Sequence, residues 1–145
     1  MKEIKSFEEF IKEGIVKKVS PNFNRAKNLV AQSKRKVESL NDFLKKAGVN
    51  DKNANDYVES CYDLIMYLVR AKMLLKGYNA TGLGAHEAEI SYMRILEFNE
   101  NDVQFADQMR YFRNGMLYYG TRIDKEYAEK VIEYTRRIYK KLKSI

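Results

Sequence analysis

Proline occurs once in this chain of 145 residues, at Pro21, and no other feature limits the fold as strongly. An internal proline removes a helix hydrogen bond and clashes with the preceding turn, so the sequence after Pro21 is free of that interruption. Apolar residues there recur at spacings of three and four, the period of one helix face. Ala26, Val30, Ser33, Val37, Leu40, Leu44 and Ala47 form such a row opposite Lys27, Lys34, Arg35, Lys45 and Lys46. Ser20 before Pro21 reads as a cap followed by a first helical residue. Upstream, Ile4, Phe7, Phe10, Ile11 and Ile15 predict a short leading helix that loses its pattern by Val19.

The Gly, Asn and Asp of residues 48–56 predict a stop, a turn and a new cap, followed by a second long helix from Tyr57 to Lys76. Its apolar face takes in Val58, Cys61, Leu64, Ile65, Leu68, Ala71 and Leu75 with Tyr62, Met66 and Val69. A face that wide needs neighbours on two sides, or a second subunit. Residues 77–84 carry too many turn formers to be helical. A shorter helix, His86 to Phe98, is stopped by residues 99–102, which cap the next, Val103 to Tyr119, with Phe105, Met109, Phe112, Met116 and Tyr119 as its stripe. Gly120 closes that helix, and Thr121 or Asp124 caps the last one, where Ala128, Val131, Thr135, Ile138 and Leu142 face inward. Nothing alternates at strand length. The expected fold is all-α: one domain over residues 1–145, with a leading helix in 1–19 and an antiparallel bundle in 21–145, about five to six helices in total.

The chain carries 27 Lys and Arg against 20 Asp and Glu, a net charge of +7, which puts polyanions first among partners. A single cysteine, Cys61, and a single histidine, His86, cannot assemble an internal disulfide, a zinc site or a Ser-His-Asp triad. No metal or cofactor is expected. The charged N-terminus lacks a secretory core, and the longest apolar run, Leu64 to Val69, is far too short to span a bilayer. These features predict a reduced, cytoplasmic protein without a membrane partner.

Chemistry concentrates in residues 109–120. Arg113 lies at the margin of the buried face, one step of about 100° from Phe112, while Asn114 and Tyr118 share the adjoining face with Arg110 and Tyr111. A guanidinium offers a fork for phosphate and phenols offer stacking surfaces for bases. Alternatively, Arg113 bridges to a neighbouring helix and the tyrosines pad the core. Asp63, amid Tyr62, Leu64 and Ile65, is either solvated or paired, because an unpaired buried carboxylate is costly, and Arg113 is a candidate partner. His86 starts a helix, a place for a capping or packing residue. The basic rows of the second helix and of the last (Arg136, Arg137, Lys140, Lys141, Lys143) either track a phosphate backbone or are solvated surface.

Arg113-Asn114, then three residues, then Tyr118-Tyr119-Gly120, late in a penultimate helix, resembles the signature of HEPN-domain proteins: Arg, usually Asn, three to five residues, and His. The stretch from Gly77-Tyr78 to His86-Glu87-Ala88 is similar to the segment those proteins place after their second long helix. The likeness runs from Pro21 to Leu142. It implies a helical bundle that dimerises with both motif copies facing one cleft. It also implies RNA as substrate or ligand, since many such proteins are metal-independent endoribonucleases of toxin–antitoxin or defence systems, and others pair with minimal nucleotidyltransferases.

Carried over by residue, Arg113 would steady the scissile phosphate, Asn114 is its usual follower, and Tyr118 stands in the His position. An imidazole titrates near pH ~6.5 and a phenol near ~10, so a phenol there is a poor general base. Gly120 occupies the place of the tyrosine that partner nucleotidyltransferases modify in one branch. His86 replaces the motif histidine only if the fold brings it beside Arg113. The expectation is a homodimeric RNA- or nucleotide-binding protein with a degenerate ribonuclease motif, using Arg113, Asn114, Tyr118, Tyr119, Arg110, Tyr111 and Asp63. The alternatives are a non-catalytic partner of a nucleotidyltransferase or another protein, and an active metal-independent endoribonuclease using Arg113 and Tyr118.

Overall fold

A computed structural model describes residues 3–144. In chain order it has α1 (Phe7–Lys12), β1 (Val16–Lys18), α2 (Phe23–Ala47), α3 (Ala54–Leu75), β2 (Tyr78–Ala80), α4 (Ala85–Ile95), α5 (Glu100–Tyr119) and α6 (Lys125–Ser144). The fold is an all-α bundle organised around α3, which packs against α2, α4, α5, α6 and β2. Tyr57, Val58, Cys61, Leu64, Ile65, Leu68, Val69, Ala71, Met73 and Leu74 of α3 are all buried. The wide apolar face is therefore covered by neighbours within the chain, with only its end, Leu75, left exposed. On α6 the row Ala128, Val131, Thr135, Ile138 and Leu142 is buried as the spacing predicts.

An amide or carboxylate side chain caps α2, α5 and α6. Asn99 accepts from the Asp102 N–H at 2.9 Å to start α5, and Asp124 accepts from the Tyr127 N–H at 2.8 Å to start α6. Each satisfies a donor that the first helical turn leaves open. Ser20-Pro21 does not start α2. Asn22 caps it instead, accepting from the Arg25 N–H at 3.0 Å, and its own N–H bonds the Leu74 carbonyl. Along α2 the inward row includes Leu29, while Val30 is exposed and Val37 and Leu44 only half-buried.

The leading helix is shorter than its periodicity suggests, ending near Gly14 at a φ of +77°. Residues 16–18 then pair antiparallel with residues 78–80, Val16 opposite Ala80 and Lys18 opposite Tyr78. This two-stranded clasp is missing from the sequence reading because three-residue strands have no local period to detect. Beside it the Val19 N–H donates to the Gly77 carbonyl at 2.8 Å. Gly77 has a φ of +80°, and a Cβ there would sit 2.6 Å from the Val19 oxygen, so only glycine fits. Phe7 packs edge-on against Tyr78 and Tyr92, and Arg94 donates to the carbonyls of Ile4 and Lys5 while pairing with Glu100.

The α5 stripe also departs from its reading. Met109 is buried, Phe105, Phe112 and Met116 are half-buried, and Tyr119 is 86% exposed. Phe112 and Phe105 pack on Tyr127 of α6; beyond them the last turn, with Leu117 and Tyr118, faces solvent. Among the described residues no helix is long and apolar enough to cross a membrane.

Candidate functional site

Arg113 leaves α5 toward α3. Its Nη2 lies 3.3 Å from Asp63 Oδ1, the pairing expected for a carboxylate amid apolar neighbours, and its Cζ sits 5.5 Å from the centre of the Tyr62 ring. The carboxylate and the ring face fix the guanidinium from two directions. The Arg113 Nε and the Tyr62 hydroxyl are both buried with no hydrogen-bond partner among the described residues. Buried polar groups are almost always bonded, so each of these atoms marks a place where an oxygen or nitrogen from outside is wanted. Burial pushes the Tyr62 phenol well above its ordinary range, with the nearby Glu89 charge adding to it. Its hydroxyl stays a donor.

These groups border a cavity of about 200 Å³, lined also by Tyr67, Arg70 and His86. The α3 members, Asp63, Tyr67 and Arg70, follow one another at helical spacings of four and three, one polar strip on an otherwise apolar helix. Arg70 grips Glu89 with two bonds, Nε to Oε2 at 2.5 Å and Nη2 to Oε1 at 2.9 Å. Burial drives the Glu89 carboxyl upward, but the bonds from Arg70 and His86 outweigh it and hold the group below the usual carboxylate range. His86 comes from the first turn of α4, entered through Gly84 in the left-handed region. Its Nδ1 is 3.4 Å from Glu89 Oε1, and its side chain is 55% exposed.

The fold thus brings His86 to the cavity that Arg113 lines. Sequence reasoning did not find Arg70, Tyr67 or Glu89 at this site. The signals were there: a polar strip along α3, and a His-Glu pair at i,i+3 in α4. Neither reads as a site until α4 lies against α3.

Of the residues grouped with Arg113, Asp63 meets it, and the others do not line its cavity. Tyr111, Asn114, Tyr118 and Tyr119 border a different cavity of about 550 Å³, together with Phe112 and Thr121. Arg110 borders neither cavity. It is tied to Asp107 at 2.7 Å and lies 3.8 Å from Glu87. The division follows from helix geometry: Arg113 and Asn114 are neighbours in sequence but about 100° apart around α5. Tyr118 does not line the cavity of Arg113. The basic row of α6 is partly committed to structure. Arg137 bonds both carboxylate oxygens of Asp102, and Lys141 donates to the Glu97 carbonyl and covers the Phe98 ring.

Among the described residues, no group of three or more His, Cys, Asp or Glu could hold a metal ion. No family model, curated protein or solved structure matches the chain.

Proposed function

We propose that the protein binds RNA or a nucleotide by its phosphate at the Arg113 cavity, as a HEPN-like bundle whose ribonuclease motif is degenerate at Tyr118. The observation that carries this reading is the pair of buried donors, Arg113 Nε and the Tyr62 hydroxyl, that lack a partner among the described residues. Asp63 engages Nη2, which orients the guanidinium while leaving Nε for a phosphate oxygen. A net charge of +7 draws a polyanion toward the protein. The test is anisotropy of a labelled RNA across a salt series, with thermal melts as a folding control. Arg113→Ala should weaken binding by roughly tenfold or more and lower the salt slope by about one, with a cooperative melt above the assay temperature showing that the fold is retained. Equal binding by the variant across the series would refute the assignment.

A metal-independent endoribonuclease is the second reading, and His86 supports it. Its Nδ1 faces Glu89, which leaves Nε2 to exchange a proton with a ribose hydroxyl while Arg113 steadies the phosphate. Incubation with RNA in EDTA should then give cyclic phosphate ends, abolished by His86→Ala and by Arg113→Ala but retained by Tyr118→Phe. Intact RNA after prolonged incubation would exclude it.

A further inference from the structure

We propose that the second cavity on α5 receives an unpaired nucleobase of the bound strand, adenine in preference to uracil. The inference rests on the reading that Arg113 holds phosphate, and it adds sequence recognition that a phosphate contact cannot supply.

Aromatic rings border this cavity, Tyr111, Phe112, Tyr118 and Tyr119, and its lining contains no charged side chain. Tyr118 is 75% and Tyr119 86% exposed, so folding leaves large ring faces in water that a planar neutral ligand would cover. Bases stack on such faces whatever their sequence. The one carboxamide in the lining is Asn114. An amide presents a donor and an acceptor side by side, which matches adenine N6–H and N7 and equally the N3–H and O4 of unpaired uracil, so the preference for adenine rests on the stronger stacking of a purine on these rings.

The C-terminal turn of α5 gives the cavity its wall. Gly120, at a φ of +66°, and Thr121 both donate their N–H groups to the Gly115 carbonyl, folding the chain back along the helix. A Cβ at Gly115 would lie 2.7 Å from Thr121 Oγ1, so glycine allows this close return. Since Arg113 and Asn114 point to different sides of α5, a single strand crossing the helix can offer phosphate to one and a base to the other. The chain's charge of +7 favours a polyanion here over a second copy of the protein.

The test compares labelled pentanucleotides, oligo-A and oligo-U, by anisotropy, and adds saturation-transfer NMR with adenosine, which carries no phosphate. Oligo-A should bind at least about fivefold tighter than oligo-U. Asn114→Leu should weaken both by removing the edge contact, and Tyr118→Ala should weaken both by about fivefold or more. Arg113→Ala should weaken both RNAs alike and leave the adenosine signal intact. Arg113-dependent RNA binding with no adenosine signal and no effect of Asn114→Leu would overturn the base site and leave the phosphate reading standing. An adenosine signal lost in Tyr118→Ala, with RNA binding indifferent to Arg113→Ala, would uphold the base site and remove the phosphate reading. A dimer in sedimentation that Tyr118→Ala dissociates, with no adenosine signal, would make the patch a contact between copies and overturn the proposal.

Discussion

Replacing Arg70 by Met tests how the floor of the Arg113 cavity is held. Arg70 is 23% exposed and Glu89 only 3% in their side chains, and the guanidinium fork meets both carboxylate oxygens. Without it, the charged Glu89 keeps only the longer contact to His86. Losing one partner of a buried pair costs about 3–5 kcal/mol, because the other charge is left uncompensated. For a chain of this size that is roughly 10 to 20 °C in Tm. Glu89→Gln should cost less, since Arg70 retains some contact with water. Arg70→Met with Glu89→Leu should recover most of the loss, as apolar replacements of buried pairs commonly do.

The pH dependence has a definite sign. In the parent, Glu89 titrates below its ordinary value, so its contribution is complete above the unfolded carboxylate range, near pH ~4.3, and is lost as pH falls through the folded value. In Arg70→Met burial dominates and the folded value lies above the unfolded one. The penalty is then full at neutral pH and shrinks as the solution is acidified toward about pH 4. Urea unfolding of parent and variant at pH 7, 5.5 and 4 measures both. A loss under about 1 kcal/mol at pH 7, or a penalty constant with pH, would refute the reasoning.

Gly77→Ala should destabilise by about 1–3 kcal/mol, since it combines a left-handed φ with a contact of 2.6 Å to the Val19 oxygen. Gly48→Ala, at a φ of +62° but with open space around its Cβ, should cost less, and urea melts of the two variants separate crowding from backbone conformation. Cys61 is fully buried, and burial pushes its thiol up to about 11. Ellman's reagent at pH 8 should therefore label the native protein only as it unfolds; immediate stoichiometric labelling would contradict the packing of α3 on α6.

Helix order, the inward face of α6 and the Asp63–Arg113 pair were legible in the sequence because each depends on period or on one nearby charge balance. The pair was one of two readings, since an acid between Tyr62 and Leu64 is either solvated or paired, and the structure shows the pair. What escaped depends on contacts between distant segments. Val16–Lys18 becomes a strand only because Tyr78–Ala80 lies beside it. His86 becomes part of a cavity only because α4 turns its first residues to Arg70 and Arg113. Periodicity puts Asn114 and Tyr118 on the face adjoining Arg113, but it does not show that the two faces border separate cavities.

The clasp of β1 and β2, with Phe7 against Tyr78 and Tyr92 and Arg94 on the carbonyls of Ile4 and Lys5, also sets a timetable. During synthesis residues 4–18 acquire these partners only after α2, α3 and α4 have followed. At roughly 5 to 20 residues per second the delay is on the order of ten seconds. Through it Phe7, Phe10 and Val16 wait for the segments that bury them, and the clasp closes only once α4 is made.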